Sequence, residues 1–129
     1  MLRDLAFIAL AGATGALCRY GSDIWASRLF GRDFAYGTFI VNITGCFLLG
    51  LLTQYSAARG LAPKGLLLAV TVGFLGSFTT FSTFGVQTMT YVSDGQINKA
   101  VLNVGAQVCL GLLAAWFGLR LGRLWTAAH

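Results

Sequence analysis

The chain has 129 residues, 57% of them hydrophobic and 10% charged, whereas soluble domains carry about a quarter charged residues. So few charges cannot cover a soluble surface of this size, which places the chain in the membrane class before any motif is read. The net charge is +5, but the Lys and Arg residues stand singly between apolar runs. They form no stripe that tracks phosphates, so nucleic acid is not expected as a partner.

The length fits a single domain over residues 1–129, and four spans of about 20–25 residues use most of it. Little remains for an extramembrane catalytic domain, and the chain is not expected to be an enzyme. The first span is expected from Leu5 to Leu29. Its opening, Met1–Cys18, has the basic and apolar parts of a secretory signal, but apolar runs continue downstream and no small-x-small site closes it. Leu17 before Cys18 does not suit lipoprotein processing, so the segment is read as a retained span. Arg19 lies about two-thirds of the way along it. An intramembrane arginine marks a water-filled cavity or a pair. One reading is a vestibule that attracts anions. The other is a pair with Asp23 at i,i+4, or snorkelling to the interface.

The second span is expected from Tyr36 to Ala58, after the breaker Gly31-Arg32-Asp33. It carries Asn42, whose amide offers two donors. These suit either an anion or a neighbouring helix.

The third span is expected from Gly65 to Val92, after Arg59-Gly60-Leu61-Ala62-Pro63-Lys64. At its middle lies Gly73-Phe74-Leu75-Gly76-Ser77-Phe78-Thr79-Thr80-Phe81-Ser82-Thr83-Phe84-Gly85. Glycine, serine and threonine at this density make a poor continuous helix. Irregular backbone at membrane depth survives only where protein buries it or it lines a cavity, so a break is expected here. Its free carbonyls suit a cation. By helical spacing Phe81 and Phe84 share a face, as do Thr79 and Thr83. Aromatic rings have positive edges, and edges beside hydroxyls suit a small anion shedding water.

The fourth span is expected from Ile97 to Trp125, after Ser93-Asp94-Gly95. Small residues four apart recur in every span: Gly12 and Ala16, Cys46 and Gly50, Ala69 and Gly73, Gly118 and Gly122. That spacing lets helix backbones approach closely in lipid. Cys18, Cys46 and Cys109 sit in apolar runs without metal-ligand spacing and read as packing residues. The lone histidine, His129, makes a histidine metal or catalytic site unexpected.

Four spans put both termini on one side, with Arg3, Arg59, Lys64, Arg120 and Arg123. Arg28, Arg32 and Lys99 lie on the other, and five against three is a weak orientation signal. The acids are Asp4, Asp23, Asp33 and Asp94, with no glutamate. A proton-coupled exporter needs a titratable carboxylate near the midplane. The small multidrug transporters have this size and span count but rely on a glutamate in their first span.

Three motifs carry a family resemblance: Gly12-x-x-Gly15-Ala16-x-x-Arg19-Tyr20, Gly37-Thr38-x-x-Val41-Asn42-x-x-Gly45, and Gly73-Phe74-x-Gly76 followed by Thr79-Thr80-Phe81-Ser82-Thr83-Phe84. In this order and register they resemble the CrcB/Fluc family of prokaryotic fluoride channels over essentially the whole chain. The resemblance implies an all-α integral membrane fold, four transmembrane helices with the third broken at mid-membrane, and an antiparallel dual-topology homodimer. It implies lipid surroundings in the bacterial inner membrane. It also implies a structural sodium ion on backbone carbonyls, here those of Gly76 and Thr79. The fluoride path would be lined by Asn42, Phe81 and Phe84, with Thr83 in the same motif. Family members commonly carry serine and glutamate where this chain has Gly85 and Gln87, and a tyrosine or serine on span four. Here Asn103 and Gln107, on one face at i,i+4, stand in their place.

The function so implied is passive, selective export of fluoride, which confers fluoride resistance. The alternative is a proton-coupled small-molecule exporter of the small multidrug resistance type. A non-transporting scaffold would have no use for the intramembrane Thr-Thr-Phe-Ser-Thr-Phe run.

Overall fold

The computed structural model describes residues 1–61 and 64–127. His129, and Ala62-Pro63 of the second loop, lie outside the described residues. The described residues are helical, without strands. The first two helices are α1 (Leu2–Phe30) and α2 (Tyr36–Ala58). The third span is assembled from α3 (Leu66–Leu68), a π-helical stretch (Ala69–Leu75), α4 (Gly76–Phe78) and α5 (Phe81–Ser93). The chain then forms α6 (Ile97–Ala127). All four spans are long and apolar enough to cross a membrane, with mean hydropathies from 1.2 to 1.8.

The second span has the expected bounds. The first and fourth run on by a few residues at their ends, because no breaker stops them. At 31 residues, α6 is about 46 Å long, so it outreaches a hydrocarbon core of about 30 Å. Its surplus carries Arg120, Arg123 and Trp125, residues suited to the interface. Asp4 in the first turn of α1 and Arg28 in the last complement the helix dipole.

Glycine ends α2 and α5 in the same way. Gly60 and Gly95 adopt φ of 62° and 71°. Gly95 N–H then bonds Val92 O at 3.1 Å and Gln96 N–H bonds Tyr91 O at 2.8 Å. Gly60 and Leu61 repeat the pattern on Ala57 and Ser56. These are Schellman motifs, which satisfy carbonyls that a helix end leaves open.

Helices α2 and α6 pack backbone to backbone over small residues. A Cβ on Gly122 would lie 2.8 Å from Leu51 O, and one on Gly118 would strike the Phe47 carbonyl. From the other side, Gly50 meets the Ala115 backbone. Gly73 of the π-helical stretch sits against Ile8 of α1 in the same manner. The buried apolar core is small, centred on Val41, Leu75 and Phe78. Large apolar side chains instead face outward on every span, among them Leu17 (70% exposed) and Leu112 (69% exposed). This inside-out distribution suits a lipid surround, where helices associate by close packing.

Candidate functional site

The site is built where the third span breaks. After α4 the chain passes through two extended residues, Thr79 (φ −87°, ψ 159°) and Thr80 (φ −152°, ψ 118°). It re-enters a helix at Phe81. Thr80 is the N-cap of α5: its hydroxyl accepts from Thr83 N–H at 3.1 Å and donates to Thr83 Oγ1 at 3.0 Å. Threonine at this position satisfies a donor that a new helix start leaves open.

The break redirects backbone donors one by one. In an unbroken helix Thr80 N–H would serve the Gly76 carbonyl; here it bonds Asn42 Oδ1 at 2.8 Å. Thr83 N–H would serve the Thr79 carbonyl; here it bonds the Thr80 hydroxyl. Arg19 Nε donates to the Ser77 carbonyl at 3.1 Å. Arg19 therefore reaches across to the break, and no Arg19–Asp23 ion pair forms among the described residues. The side chains of α1 and α2 supply what the interrupted ladder cannot, as buried polar backbone requires.

Three cavities follow one another along this region. One, about 330 Å³, is lined by Asn42, Gly76, Thr79, Phe81, Phe84 and Gln107 among others. Phe81 and Phe84 have ring centroids 5.5 Å apart at a 54° tilt, so they do share a face as expected. Phe81 is 82% exposed in the single chain. A second cavity, about 210 Å³, lies on the other side of the break and is lined by Arg19, Asp23, Thr38, Thr80, Thr83 and Gln87 among others. Thr80 borders both. The third, about 780 Å³, shares Tyr20, Asp23 and Gln87 with the second and widens toward Arg28 and Arg32.

Thr79 and Thr83 do not share a face. Thr79 lines the aromatic cavity and Thr83 the arginine cavity. Helical spacing fails here because the two extended residues between α4 and α5 reset the rotation of the chain. Sequence reasoning also passed over Thr80, the joint of the site. Its signal was present: a threonine three residues before another hydroxyl residue, at the start of a helix.

Asn103 and Gln107 lie on one face as their spacing indicates, and they bond each other at 3.0 Å. Gln107 Oε1 accepts from Asn42 Nδ2 at 2.7 Å. Asn42 Nδ2 also donates to Thr80 O at 3.1 Å, so both of its amide hydrogens are engaged.

A family model described as "CrcB-like protein, Camphor Resistance (CrcB)" matches residues 6–119. The chain belongs to this family. A protein of Acidobacterium capsulatum named fluoride-specific ion channel FluC is 46% identical over 117 residues, covering 90% of this chain and 93% of its own. One of Citrifermentans bemidjiense with the same name is 41% identical over 122 residues, covering 95% and 98%. One of Solidesulfovibrio magneticus, again so named, is 44% identical over 124 residues, covering 96% and 99%. With four apolar spans and this family membership, the chain is a multi-pass membrane protein.

Proposed function

We propose that the chain is a fluoride channel of the bacterial inner membrane, working as an antiparallel homodimer around a structural sodium ion. The observation that carries the reading is the 46% identity, over nine-tenths of the chain, with a protein named a fluoride-specific ion channel. The geometry supplies a mechanism to match. The Phe81 and Phe84 rings turn into a cavity beside the break, where their positive edges suit an anion. Arg19, Arg28 and Arg32 line the approach from the wide cavity and raise the local anion concentration. The Thr83 hydroxyl, whose oxygen accepts the Thr80 hydrogen, keeps its own hydrogen for the arginine cavity. Water removed from a small anion is replaced by these fixed polar groups, which is how close-quarters selectivity arises.

Passive flow suffices for export. Moving one charge through an inside-negative potential is worth about 2.3 kcal/mol per 100 mV, so the potential itself expels the anion. A proton-coupled exporter requires a carboxylate at mid-span. The acids are Asp4, Asp23, Asp33 and Asp94, and none of them lines the aromatic cavity.

The sodium reading draws support from the carbonyls of Gly76 and Thr79, whose helical donors are diverted to Asn42 and to Thr80. Oxygen ligands of this kind suit a hard monovalent cation. A two-fold axis in the membrane plane would bring two copies of the pair together. Gly76 is exposed in the single chain, and so is Phe81, which leaves this face free for a second copy. When bound, the ion supplies charge that offsets the carbonyl dipoles; it is part of the fold and is not transported.

The test is fluoride efflux from liposomes holding the purified protein, followed with a fluoride electrode in the absence of a proton gradient. Fast efflux supports the channel. Efflux that requires an imposed proton gradient would make the protein a coupled exporter, and none at all would make it a scaffold.

A further inference from the structure

A second feature of the site concerns direction. Thr80 N–H donates to Asn42 Oδ1, and Asn42 Nδ2 donates to Gln107 Oε1. Gln107 Nε2 donates to Asn103 Oδ1, and Asn103 Nδ2 donates to Thr88 Oγ1 at 2.9 Å. The Thr88 hydroxyl then donates to Phe84 O at 2.8 Å. The chain of bonds leaves the third span at Thr80, crosses α2 and α6, and returns to the third span at Phe84. Its Thr80 end fixes its sense. A backbone N–H only donates, so Asn42 must turn its oxygen to Thr80, and each later amide follows in turn. The Thr88 hydroxyl receives the last N–H and passes its own hydrogen to Phe84 O. Each amide between has one orientation that satisfies both neighbours. Asn103 is fully buried, so water does not substitute for a partner lost there, and Gln107 is 8% exposed at the edge of the aromatic cavity.

We propose that Gln107 and Asn103 are positioning residues: a one-way amide relay through them holds the N-cap Thr80 and the pore phenylalanine Phe84 in fixed relation, and conduction depends on its unbroken donor-to-acceptor sense. The proposal rests on the fluoride-channel reading. The relay contains no titratable group. The titratable side chain that shares the Gln107 cavity is Cys46 of α2. Arg19, Tyr20 and Asp23 of α1 line the neighbouring cavity, Tyr91 of α5 lines the wide one, and Lys99 lies one turn from Asn103 on α6.

An amide-to-acid exchange tests the sense of the relay. An ionised Gln107→Glu side chain has only acceptors, so Asn103 either faces it without a donor or turns over and takes the Thr88 hydrogen from Phe84 O; in both cases the relay to Phe84 is broken. Once protonated, the acid's O–H replaces the lost N–H and its carbonyl still accepts from Asn42, which restores the pattern. An ionised Asn103→Asp side chain draws the Thr88 hydrogen away from Phe84 O, which cuts the return to the third span; protonated, its O–H donates to Thr88 and restores the pattern. Burial raises a carboxyl pKa above its usual range of about 4, which brings the protonation into an accessible window.

The experiment is fluoride efflux from liposomes at pH 8 and pH 5.5, with the leak of protein-free liposomes subtracted at each pH. The parent should conduct alike at both. Gln107→Glu and Asn103→Asp should each lose at least about tenfold at pH 8 and recover to near the parent at pH 5.5. Gln107→Met, which has neither donor nor acceptor of strength, should be slow at both. If either acid variant conducts like the parent at pH 8, or stays equally slow at pH 5.5, the relay proposal is overturned. Should one acid variant fail to yield dimer, the other decides by the same two results. A parent that moves no fluoride would overturn the channel reading itself, which keeps the two failures apart.

Discussion

Asn42 holds both backbone polar groups of Thr80, with Nδ2 donating to its carbonyl at 3.1 Å and Oδ1 accepting from its N–H at 2.8 Å. A side chain of α2 thereby takes the place of the missing helical ladder at the one point where the third span is extended. The amide is matched to this task, since it presents a donor and an acceptor side by side.

Asn42→Asp exchanges the donor for a second acceptor, which then faces both Thr80 O and Gln107 Oε1. We expect flux to fall by at least about tenfold, equivalent to about 1.4 kcal/mol, together with a lower melting temperature of the purified protein. Parent-level flux in this variant would show that the clamp on Thr80 is dispensable.

Phe81→Ile and Phe84→Ile keep apolar bulk but remove the ring edges. Each should slow fluoride efflux by about tenfold or more, while the protein elutes unchanged on size exclusion. Two variants that conduct like the parent would remove the aromatic-edge mechanism.

Arg19 acts in two ways, through its charge in the cavity and through its bond to Ser77 O at 3.1 Å. Charge attraction is screened by salt, over about 10 Å at 0.1 M, whereas the hydrogen bond is not. Arg19→Gln should therefore reduce flux most at low ionic strength and leave a several-fold deficit at high salt. A deficit that vanishes at high salt would leave only the electrostatic part.

A Cβ on Gly45 would collide with the methyl of Thr79, whereas one on Gly105 would meet nothing within 4 Å. Gly45→Val should destabilise the protein by about 1–3 kcal/mol through overpacking, and Gly105→Ala should be close to neutral. Thermal unfolding of the purified variants compares them directly. Equal stability of the two would mean that the break tolerates displacement from α2.

Much of this architecture was legible in the chain. Long apolar runs gave the four spans, since a bilayer demands about 20 apolar residues per helix. The Gly-Ser-Thr density over Gly73–Gly85 marked the break, because such residues hold a helix poorly. The pairing of Asn103 with Gln107 followed from i,i+4 geometry on an uninterrupted helix. The same rule misled at Thr79 and Thr83, where the helix it assumes does not exist. Of the two readings open for Arg19, the local pair with Asp23 gives way to a contact 58 positions away at Ser77. The π-helical winding of Ala69–Leu75 left no mark that a residue-by-residue reading could use, since it arises from packing against α1.

Basic residues flank the two membrane faces almost evenly, so nascent chains should insert both ways. If two opposed copies make up the proposed two-fold dimer, a C-terminal tag labelled from outside in sealed vesicles should react in about half of the molecules. Labelling of all or none would remove the antiparallel dimer, and with it the shared sodium site at Gly76 and Thr79.

Passive, selective conduction of fluoride is the property on which the proposed function stands. Its most direct test is purified protein in potassium-loaded liposomes, with a valinomycin-clamped potential as the sole driving force and external fluoride or chloride read by electrode. A passive fluoride channel releases fluoride rapidly and retains chloride. Equal release of both anions, or fluoride retained until a proton gradient is imposed, would contradict it.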